Sequence, residues 1–397
     1  MTARLPIELL ALVVQHADRG AQARLSIASR RAYSISIRAL YASIPHMSTS
    51  RTTQCLLTLS TKPEIARLVR SFSLRLSSSR VLRNSPGILA RALGNMTGLT
   101  SLSLQLGIFA TSGVLSQVTC RLTKFVCIMA SDDTYSISKF LSAQPAIEEL
   151  YIVGQPDGLA GLGADALPAL RDLAAPLRLL PDLLHSRLSG ISRLSILGTI
   201  AEIEEFVQLG TALESAKAPW PESLELAMGV DITAFLMTTD ILAQGLSILG
   251  RRAPFIGLLR LEIHRGYIRE DGLRNVFTFA LPDFSNLKTL VIMSQSPIPG
   301  AYIRKSIHVQ SQALFSPPPI YNSSVTTLSN LSPRFLSPHF EYDGARDSLS
   351  SVPDALHDTT CHKQVLKVWH RVHPGLERVV FPVGAYTFAS NKQQRNG

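Results

Sequence analysis

A short apolar motif recurs along most of this chain, and its spacing restricts the possible fold more than any other feature. The motif has the pattern Leu-x-x-Leu-x-Leu, as in LTSLSL at 99–104 and ISRLSI at 191–196. Apolar residues at every second position are typical of a strand with one buried face. Ten such segments are present, and they begin at residues 68, 99, 122, 147, 170, 191, 224, 258, 287 and 376.

The segments from 68 to 287 follow one another at fairly regular intervals. The intervals are shortest before 191 and longer after it, and they bracket the roughly 20–29-residue period of leucine-rich repeats, with insertions. Amphipathic stretches at 136–141 and 201–207 predict helices between the strands, and such alternation favours a parallel sheet. A unit that cannot bury its own apolar face is stable when stacked. The predicted fold class is therefore α/β, a leucine-rich-repeat-like solenoid of horseshoe shape.

A doubly wound α/β domain is the main alternative for the repeated region, because strands and helices alternate there as well. Three features argue against it. The strand motif is the same each time, its number is high, and no glycine-rich phosphate loop follows an early strand. The repeat interpretation therefore accounts for more of the sequence.

The N-terminal segment predicts a short helix with a wide apolar face. Pro6 suits the first turn of a helix, and Glu8 suits its positive end. Apolar residues then recur at helical spacing from Leu9 to Ala17, and Gly20 offers a stop. A helix of about twelve residues is marginal alone, so its apolar face must be buried against neighbouring helices or against a partner. On periodicity alone, an ordinary helical subdomain remains possible.

The residues from 4 to 45 together resemble the F-box. LPIELL at 5–10, SRRAY at 29–33 and LYASI at 40–44 match the order Leu-Pro-x-Glu-Leu-Leu, Ser-Arg-Arg-x-Tyr and Leu-Tyr-x-x-Ile. The resemblance implies a three-helix module over residues 1–46. With the leucine-rich segments behind it, the chain resembles the F-box proteins with divergent leucine-rich repeats that are abundant in mushroom-forming fungi.

The resemblance also implies a function. F-box modules bind the SKP adaptor of an SCF-type cullin–RING ubiquitin ligase, and the remainder of the chain selects a protein substrate. Leu25 and the block 29–31 would supply the second helix, and apolar anchors are worth about 2 kcal/mol or more each at an interface. Carried over position by position, the adaptor-binding residues would be Leu5, Pro6, Leu9, Leu10, Val13, Leu25, Ser29, Arg30 and Arg31.

Two other classes of protein remain open. In a repeat scaffold outside any ligase, the N-terminal helices would cap the solenoid, and Leu9 and Leu10 would be buried within the chain. A docking module would instead leave an apolar face exposed. Residues 1–80 hold 12 lysines and arginines against 3 acidic residues, within a net charge of +10. This basic module fits an acidic adaptor; nucleic-acid binding would require a steep loss of affinity with salt, and no nucleic-acid motif accompanies it.

The sequence carries no recognisable catalytic or cofactor motif. His-Glu-x-x-His, a P-loop and Gly-x-Ser-x-Gly are all missing. Several histidines lie near Cys361, but a single thiol among them does not predict a zinc site. We therefore expect no enzyme, no cofactor and no metal.

The remaining sequence features concern the compartment. Pro6 and Glu8 interrupt the only candidate for a signal peptide, and no run of eighteen apolar residues would span a membrane. The four cysteines are too few and scattered for a disulfide framework. These observations predict a cytoplasmic or nuclear protein with no membrane partner.

The repeats are predicted to span residues 47–293. Residues 294–361 then interrupt them. This stretch holds 13 serines and 8 prolines, a composition that cannot bury enough apolar surface to order itself. A disordered insertion, a solvated loop and a translated intron are all compatible with it. Repeat-like sequence resumes in 362–397, where Trp369 is predicted to pack in a cap that closes the solenoid.

Overall fold

The computed structural model describes residues 6–76, 86–106, 112–129, 137–154, 159, 161–215, 220–232, 237–266, 268–294 and 354–388. A single twelve-stranded sheet runs through the described residues, with its strands side by side in sequence order. The strands are β1 (Ser43–Ile44), β2 (Ser71–Leu76), β3 (Ser101–Leu106), β4 (Lys124–Met129), β5 (Glu149–Val153), β6 (Asp172–Pro176), β7 (Arg193–Ile200), β8 (Leu224–Asp231), β9 (Ile256–Arg265), β10 (Thr289–Ser294), β11 (Arg378–Phe381) and β12 (Gly384–Thr387). Neighbouring strands are parallel throughout, except that β12 pairs antiparallel with β11.

All ten strands predicted from the recurring motif are present, as β2 to β11. Most begin two residues after the first apolar residue of the motif, because that residue lies in the turn before the strand. Leu99 and Leu122, for example, are buried just ahead of β3 and β4. The predicted α/β repeat architecture is confirmed: each strand adds to the previous one, as in a solenoid.

Helices and short helical turns connect the strands. The helices are α1 (Ile7–His16), α2 (Arg19–Ala28), α3 (Arg30–Ala42), α4 (Thr49–Thr61), α5 (Pro63–Ala66), α6 (Pro86–Asn95), α7 (Ile137–Ser142), α8 (Leu180–Leu184), α9 (Ile203–Glu214), α10 (Thr239–Arg252), α11 (Glu270–Ala280) and α12 (Thr359–Val372). Turns of 3₁₀ helix lie at Ser112–Gln117, Leu177–Leu179, Leu188–Gly190 and Leu281–Asp283. The predicted return helices at 136–141 and 201–207 are confirmed as α7 and α9. A capping box starts α9: the Glu202 side chain accepts from the Glu205 backbone N–H, and the Glu205 side chain accepts from the Glu202 backbone N–H.

One face of the sheet forms the core beneath the helices, and the other face is open. The middle leucine of the motif, or the apolar residue in its place, supplies a continuous row of buried side chains, one from each of β2 to β11. They are Phe72, Leu102, Phe125, Leu150, Leu173, Leu194, Leu226, Leu259, Leu290 and Val379, in consecutive register. None of them is more than 2% exposed. Strand alternation places the residues between them on the open face.

Two buried polar side chains, Gln144 and Arg187, bridge consecutive repeats. The Gln144 amide donates to the Cys120 carbonyl (2.9 Å) and accepts from the Leu122 backbone N–H (3.0 Å). Arg187 is also buried, and its guanidinium donates to backbone carbonyls, including those of Ala166 (2.7 Å) and Leu183 (3.1 Å). Because each buried backbone group needs a partner, these two side chains tie neighbouring turns together.

The N-terminal helices differ in part from the prediction. Three helices are present, but α1 ends at His16, and Gly20 lies inside α2. Ser29 caps the third helix by accepting from the Ala32 N–H (3.1 Å), with Arg30 and Arg31 in its first turn. The assignment of the block 29–31 to the second helix is therefore wrong. The reason is Asp18, which caps α2 through the Ala21 N–H (2.8 Å) and starts that helix earlier.

The predicted bounds of the insertion, 294–361, are wrong at both ends. Ser294 is the last residue of β10, and its hydroxyl lies 2.8 Å from Nε2 of His357. Residues 354–361 belong to the fold, because Ala355 and Leu356 are buried and α12 begins at Thr359. The composition of 294–361 as a whole is dominated by serine and proline, and this obscured the few apolar residues near its end that enter the core. Residues 295–353 lie outside the described residues.

Helix α12 closes the C-terminal end of the solenoid, as predicted for the cap. Trp369 is fully buried, with its ring 4.8 Å from that of Phe277 on α11. His362 is buried against Phe381 of β11, with ring centroids 3.9 Å apart. The predicted packing role of Trp369 is confirmed.

Candidate functional site

Helix α1 carries apolar residues on two sides, and the described part of the chain covers only one of them. Val14 is buried, whereas Leu9, Leu12 and Val13 are 47%, 51% and 52% exposed. These three residues are spaced i, i+3, i+4 and share one face of the helix, which we call the α1 outer face. A helix that is apolar on all sides is normally buried on all sides, so the outer face lacks the cover that its composition requires.

The inner side of α1 is fixed to the rest of the module. Gln22 of α2 is buried, and its amide donates to the carbonyls of Val14 (2.9 Å) and Ala17 (3.2 Å). These carbonyls lie at the C-terminal end of α1, where helical partners run out. Ile44 of β1, directly after α3, joins the solenoid core, whereas Val14 does not. The module is therefore held in place while the α1 outer face stays exposed.

The predicted adaptor-binding residues differ in their exposure. Pro6, Leu9 and Val13 are exposed, whereas Leu10 and Leu25 are half-buried inside the module. Ser29, Arg30 and Arg31 are exposed at the start of α3, and Leu5 lies outside the described residues. The prediction missed other exposed apolar residues of the module, among them Leu12, Ile27 and Tyr33. The apolar periodicity of α1 includes Leu12, but periodicity does not reveal which side of a helix is covered.

The charged side chains of the module are mostly basic. Within residues 6–46 the arginines are Arg19, Arg24, Arg30, Arg31 and Arg38, and the acidic residues are Glu8 and Asp18. All of these side chains are exposed. The module therefore presents apolar side chains within a positive field, which suits a partner with an acidic surface.

A second surface lies on the open face of the sheet, where charged side chains occupy the first open-face position of five consecutive strands. Their signs run positive, negative, negative, positive, negative from β4 to β8, and their Cα atoms are in register. We call them the charge row: Lys124, Glu149, Asp172, Arg193 and Glu225. Lys124 pairs with Glu149, and Arg193 pairs with both Asp172 (3.3 Å) and Glu225 (3.0 Å). The row holds three carboxylates and two cations and is therefore net negative.

Arg193 lies between two carboxylates of the charge row, those of Asp172 and Glu225. Its hydrogen bond to Glu225, and then the charges of Glu225 and Asp172, raise the pKa of Arg193 above its ordinary value. The Arg193 side chain is about half exposed, and those of Asp172 and Glu225 about one third, so solvent weakens each pair. The contacts orient the charges and contribute little to the stability of the fold.

The charge row borders an open depression of about 230 Å³ in the middle of the sheet. The next open-face position contributes its floor and wall, with Val126, Tyr151, Ala174 and Ser195 in consecutive register. Tyr151 is half-buried, and burial raises the pKa of its phenol. Strand alternation places Glu149 and Tyr151 on the open side of β5, but the sequence alone does not link them to Asp172 and Arg193.

The described residues offer no arrangement suited to metal or thiol chemistry. Among them, no group of three or more histidine, cysteine, aspartate or glutamate side chains is placed to hold a metal ion. The four cysteines are free, and burial raises the pKa of Cys127 to about 12 and that of Cys55 to about 11. Thiols with such pKa values are not nucleophilic near neutral pH. In the same described part of the chain, no helix combines the length and apolar character needed to cross a bilayer.

Comparison with known proteins adds little to these observations. No known protein family matches the chain, and no curated protein of similar sequence was found. Among solved structures, the chain is similar to a crystal structure of an internalin (inlF) from Listeria monocytogenes, at 13% identity and a TM-score of 0.32. The similarity covers 74% of this chain and 90% of that one. At this score the similarity carries no argument, and the repeat fold rests on the strand order and register alone.

Proposed function

We propose that this protein is the substrate-recognition subunit of an SCF-type cullin–RING ubiquitin ligase. The N-terminal module would bind an SKP-type adaptor, and the open face of the solenoid would bind a protein substrate. The protein itself would perform no chemistry. Its contribution would be to hold a target at a fixed place in a larger assembly, as expected of a repeat fold with an extended binding surface.

The observation that carries this proposal is the exposed outer face of α1. If the N-terminal helices served only as a cap, Leu9 and Leu10 would both be buried in this chain. Leu10 is half-buried, but Leu9 is 47% exposed and lies beside two further exposed apolar residues. Covering the exposed half of each side chain would add roughly 1 kcal/mol per residue to binding. The F-box resemblance of residues 4–45 supplies the kind of partner, and the arginines of the module suit an acidic adaptor.

The proposal is tested by titrating the purified full-length chain with a purified SKP-type adaptor in a calorimeter. The wild type is compared with Leu9→Asp, which places a charge in the α1 outer face. An unpaired carboxylate in a desolvated interface is costly, so we expect binding to weaken at least 30-fold, about 2 kcal/mol.

Leu57→Asp is the matched control. Leu57 lies on α4, outside the module, and is 44% exposed, close to the value for Leu9. This variant should bind the adaptor within twofold of the wild type. Circular dichroism must show the wild-type helix content in both variants. Equal weakening by both substitutions, or no binding by the wild type, would remove the support for a ligase subunit.

A protein-interaction scaffold outside any ligase is the second candidate, and one observation favours it. Strand β1 pairs with β2, and Ile44 lies in the solenoid core, so the module also covers the edge of β2. A cap of this kind is what the exposed end of a repeat array requires. The scaffold becomes the preferred function if the wild-type chain does not bind the adaptor.

A further inference from the structure

The last strand of the sheet has one edge without a strand partner among the described residues. Strand β12 pairs with β11 along its other edge. The Phe388 N–H donates to the Glu377 carbonyl (2.9 Å), and hydrogen-bonded positions alternate along an antiparallel ladder. Tyr386 therefore directs its N–H and C=O toward β11, whereas Ala385 and Thr387 direct theirs away from the sheet. Outward groups of this kind can pair with the main chain of an added strand.

The opposite edge of the sheet is covered within the chain. Strand β1 is only two residues long, and the guanidinium of Arg19 donates to the Ser43 carbonyl on its outer side. Edge strands are commonly blocked by charged side chains or by proline. Gly384–Thr387 contains neither, and within the described residues no side chain bonds to its outward groups. The edge of β12 is therefore unblocked.

Helix α12 lies beside β12 and presents a row of cations. His362 Nδ1 is 3.0 Å from the Tyr386 hydroxyl, and the His370 ring stacks on that of Phe388 with centroids 4.5 Å apart. The exposed side of the helix carries three basic residues at i, i+4 and i+8, which we call the α12 cations: Lys363, Lys367 and Arg371. Among the described residues none of them has an ion-pair partner, and α12 itself contains no acidic residue.

The acidic side chains near α12 are gathered at its first turn. Asp354 and Asp358 accept from backbone N–H groups there, and Glu270 of α11 lies near the same turn. The rest of the helix carries only cations among its charged residues. On the sheet, the exposed Glu377 is followed by the exposed Arg378. The charge beside the free edge of β12 is therefore positive.

Two other occupants of this edge fit the charges and the sequence less well. A second copy of the chain, pairing β12 with β12 about a two-fold axis, would bring two sets of α12 cations together. Residues 389–397 contain no aromatic or β-branched residue and add two further cations, a composition that does not favour a strand. A partner with negative charge on an extended main chain satisfies both the edge and the helix.

We infer that the free edge of β12 binds an extended acidic segment of another protein by strand addition. The outward groups of Ala385 and Thr387 would supply main-chain hydrogen bonds, and the α12 cations would attract the acidic side chains. The four-residue length of β12 limits the pairing to a short stretch of the partner. A nucleic acid would meet the cations but leave the edge unpaired. This surface is separate from the α1 outer face and from the open face.

Selection from a random twelve-residue peptide library displayed on phage tests the inference with the full-length chain. The wild type should enrich peptides that combine several acidic residues with strand-forming residues and lack a central proline. Ala385→Pro removes an outward N–H without removing a bond to β11, and it should lose this enrichment. Ala385→Ser keeps the N–H and should behave like the wild type.

The strongest selected peptide then provides quantitative readouts. Its binding should weaken about tenfold in Ala385→Pro and stay unchanged in Ala385→Ser. A similar loss is expected when the α12 cations are removed together, as Lys363→Gln/Lys367→Gln/Arg371→Gln. The control variant removes the same number and kinds of charge at other exposed positions and should bind like the wild type: Lys62→Gln/Arg121→Gln/Lys139→Gln.

Methylation of single main-chain nitrogens in the peptide tests strand addition on the wild-type protein, whatever the folding of the variants. Methyl groups at alternate positions should abolish binding, because those N–H groups face β12, and methyl groups at the positions between should have little effect. Equal effects at all positions would overturn the inference. So would enrichment of basic or purely apolar peptides, no enrichment by the wild type, or equal enrichment by Ala385→Pro.

Two further measurements identify the other occupants. In sedimentation, a wild-type dimer that Ala385→Pro dissociates would assign the edge to a second copy. A gain in peptide affinity of about tenfold on removal of residues 389–397 would assign it to the tail. Either result would overturn the inference, which expects a monomer and an unchanged affinity. Adaptor binding through α1 is independent of all these outcomes, so the proposed function stands or falls by its own test.

Discussion

The apolar core is covered differently at the two ends of the solenoid. At the C-terminal end, α12 buries Trp369 and stacks His362 on Phe381, so the last repeat is closed within the chain. At the N-terminal end, β1 covers the edge of β2, but the outer face of α1 remains exposed. A core that is closed internally needs no partner to cover it. The N-terminal end is therefore the one at which we propose that a partner binds through apolar contacts.

The largest expected effect separates the two ends by stability. Trp369→Ala should lower the free energy of unfolding by about 4 kcal/mol, because a fully buried ring would leave a large cavity. Leu12→Ala, at the exposed end, should change it by less than about 0.5 kcal/mol. Urea unfolding followed by circular dichroism measures both. A cost for Leu12→Ala of about 2 kcal/mol or more, as for a buried leucine, would show that the α1 outer face is covered within this chain.

An intermediate effect concerns the attachment of α1. Gln22→Leu leaves the carbonyls of Val14 and Ala17 without their donor, at a cost of about 1–2 kcal/mol. Hydrogen exchange should show about tenfold weaker protection of α1, with β2 to β11 unchanged. Gln15→Leu replaces an exposed glutamine on the same helix and should leave protection unaltered. Weaker protection throughout the sheet would mean that the module and the solenoid unfold together.

The smallest expected effect is a pH dependence confined to the closed end. His362 Nε2 donates to the Ala355 carbonyl (3.0 Å), and Nδ1 lies 3.0 Å from the Tyr386 hydroxyl, from which the neutral ring accepts. Burial is the main cause that lowers the pKa of His362 below 6.5, with His357 lowering it further and Asp358 opposing the shift. A lowered pKa favours the neutral folded form, so this stability is complete above pH 6.5 and is lost as the pH falls below it.

The pH effect is measured as the difference between two proteins. Between pH 7.5 and 5, the wild-type unfolding midpoint should fall about 2 °C more than that of His362→Gln, which cannot titrate. A matching fall in both proteins would assign the pH dependence to other groups.

The sequence predicted the repeats well because one local motif specifies each strand. It missed β1 and β12 for the same reason, since neither Ser43–Ile44 nor Gly384–Thr387 carries the leucine pattern. The charge row could not be predicted from the sequence either. Its members lie in separate repeats, and only the strand register brings Asp172 beside Glu149.

The exposed face of α1 was predictable in part. The residues that make the helix apolar are visible in the sequence, but the side that packs on the module depends on the tertiary contacts of Val14 and Gln22. The predicted contacts therefore omit the exposed Leu12 and include the half-buried Leu10. Sequence periodicity identifies an apolar helix, and only packing identifies the face that stays exposed.

The most direct test of the central claim is hydrogen–deuterium exchange of the full-length chain with and without a saturating SKP-type adaptor. The claim is that the α1 outer face is a docking surface. We expect the adaptor to slow exchange in Ile7–His16 and neighbouring parts of the module, with the strands of the open face unchanged. Unchanged exchange in α1, or protection confined to the solenoid, would contradict the claim.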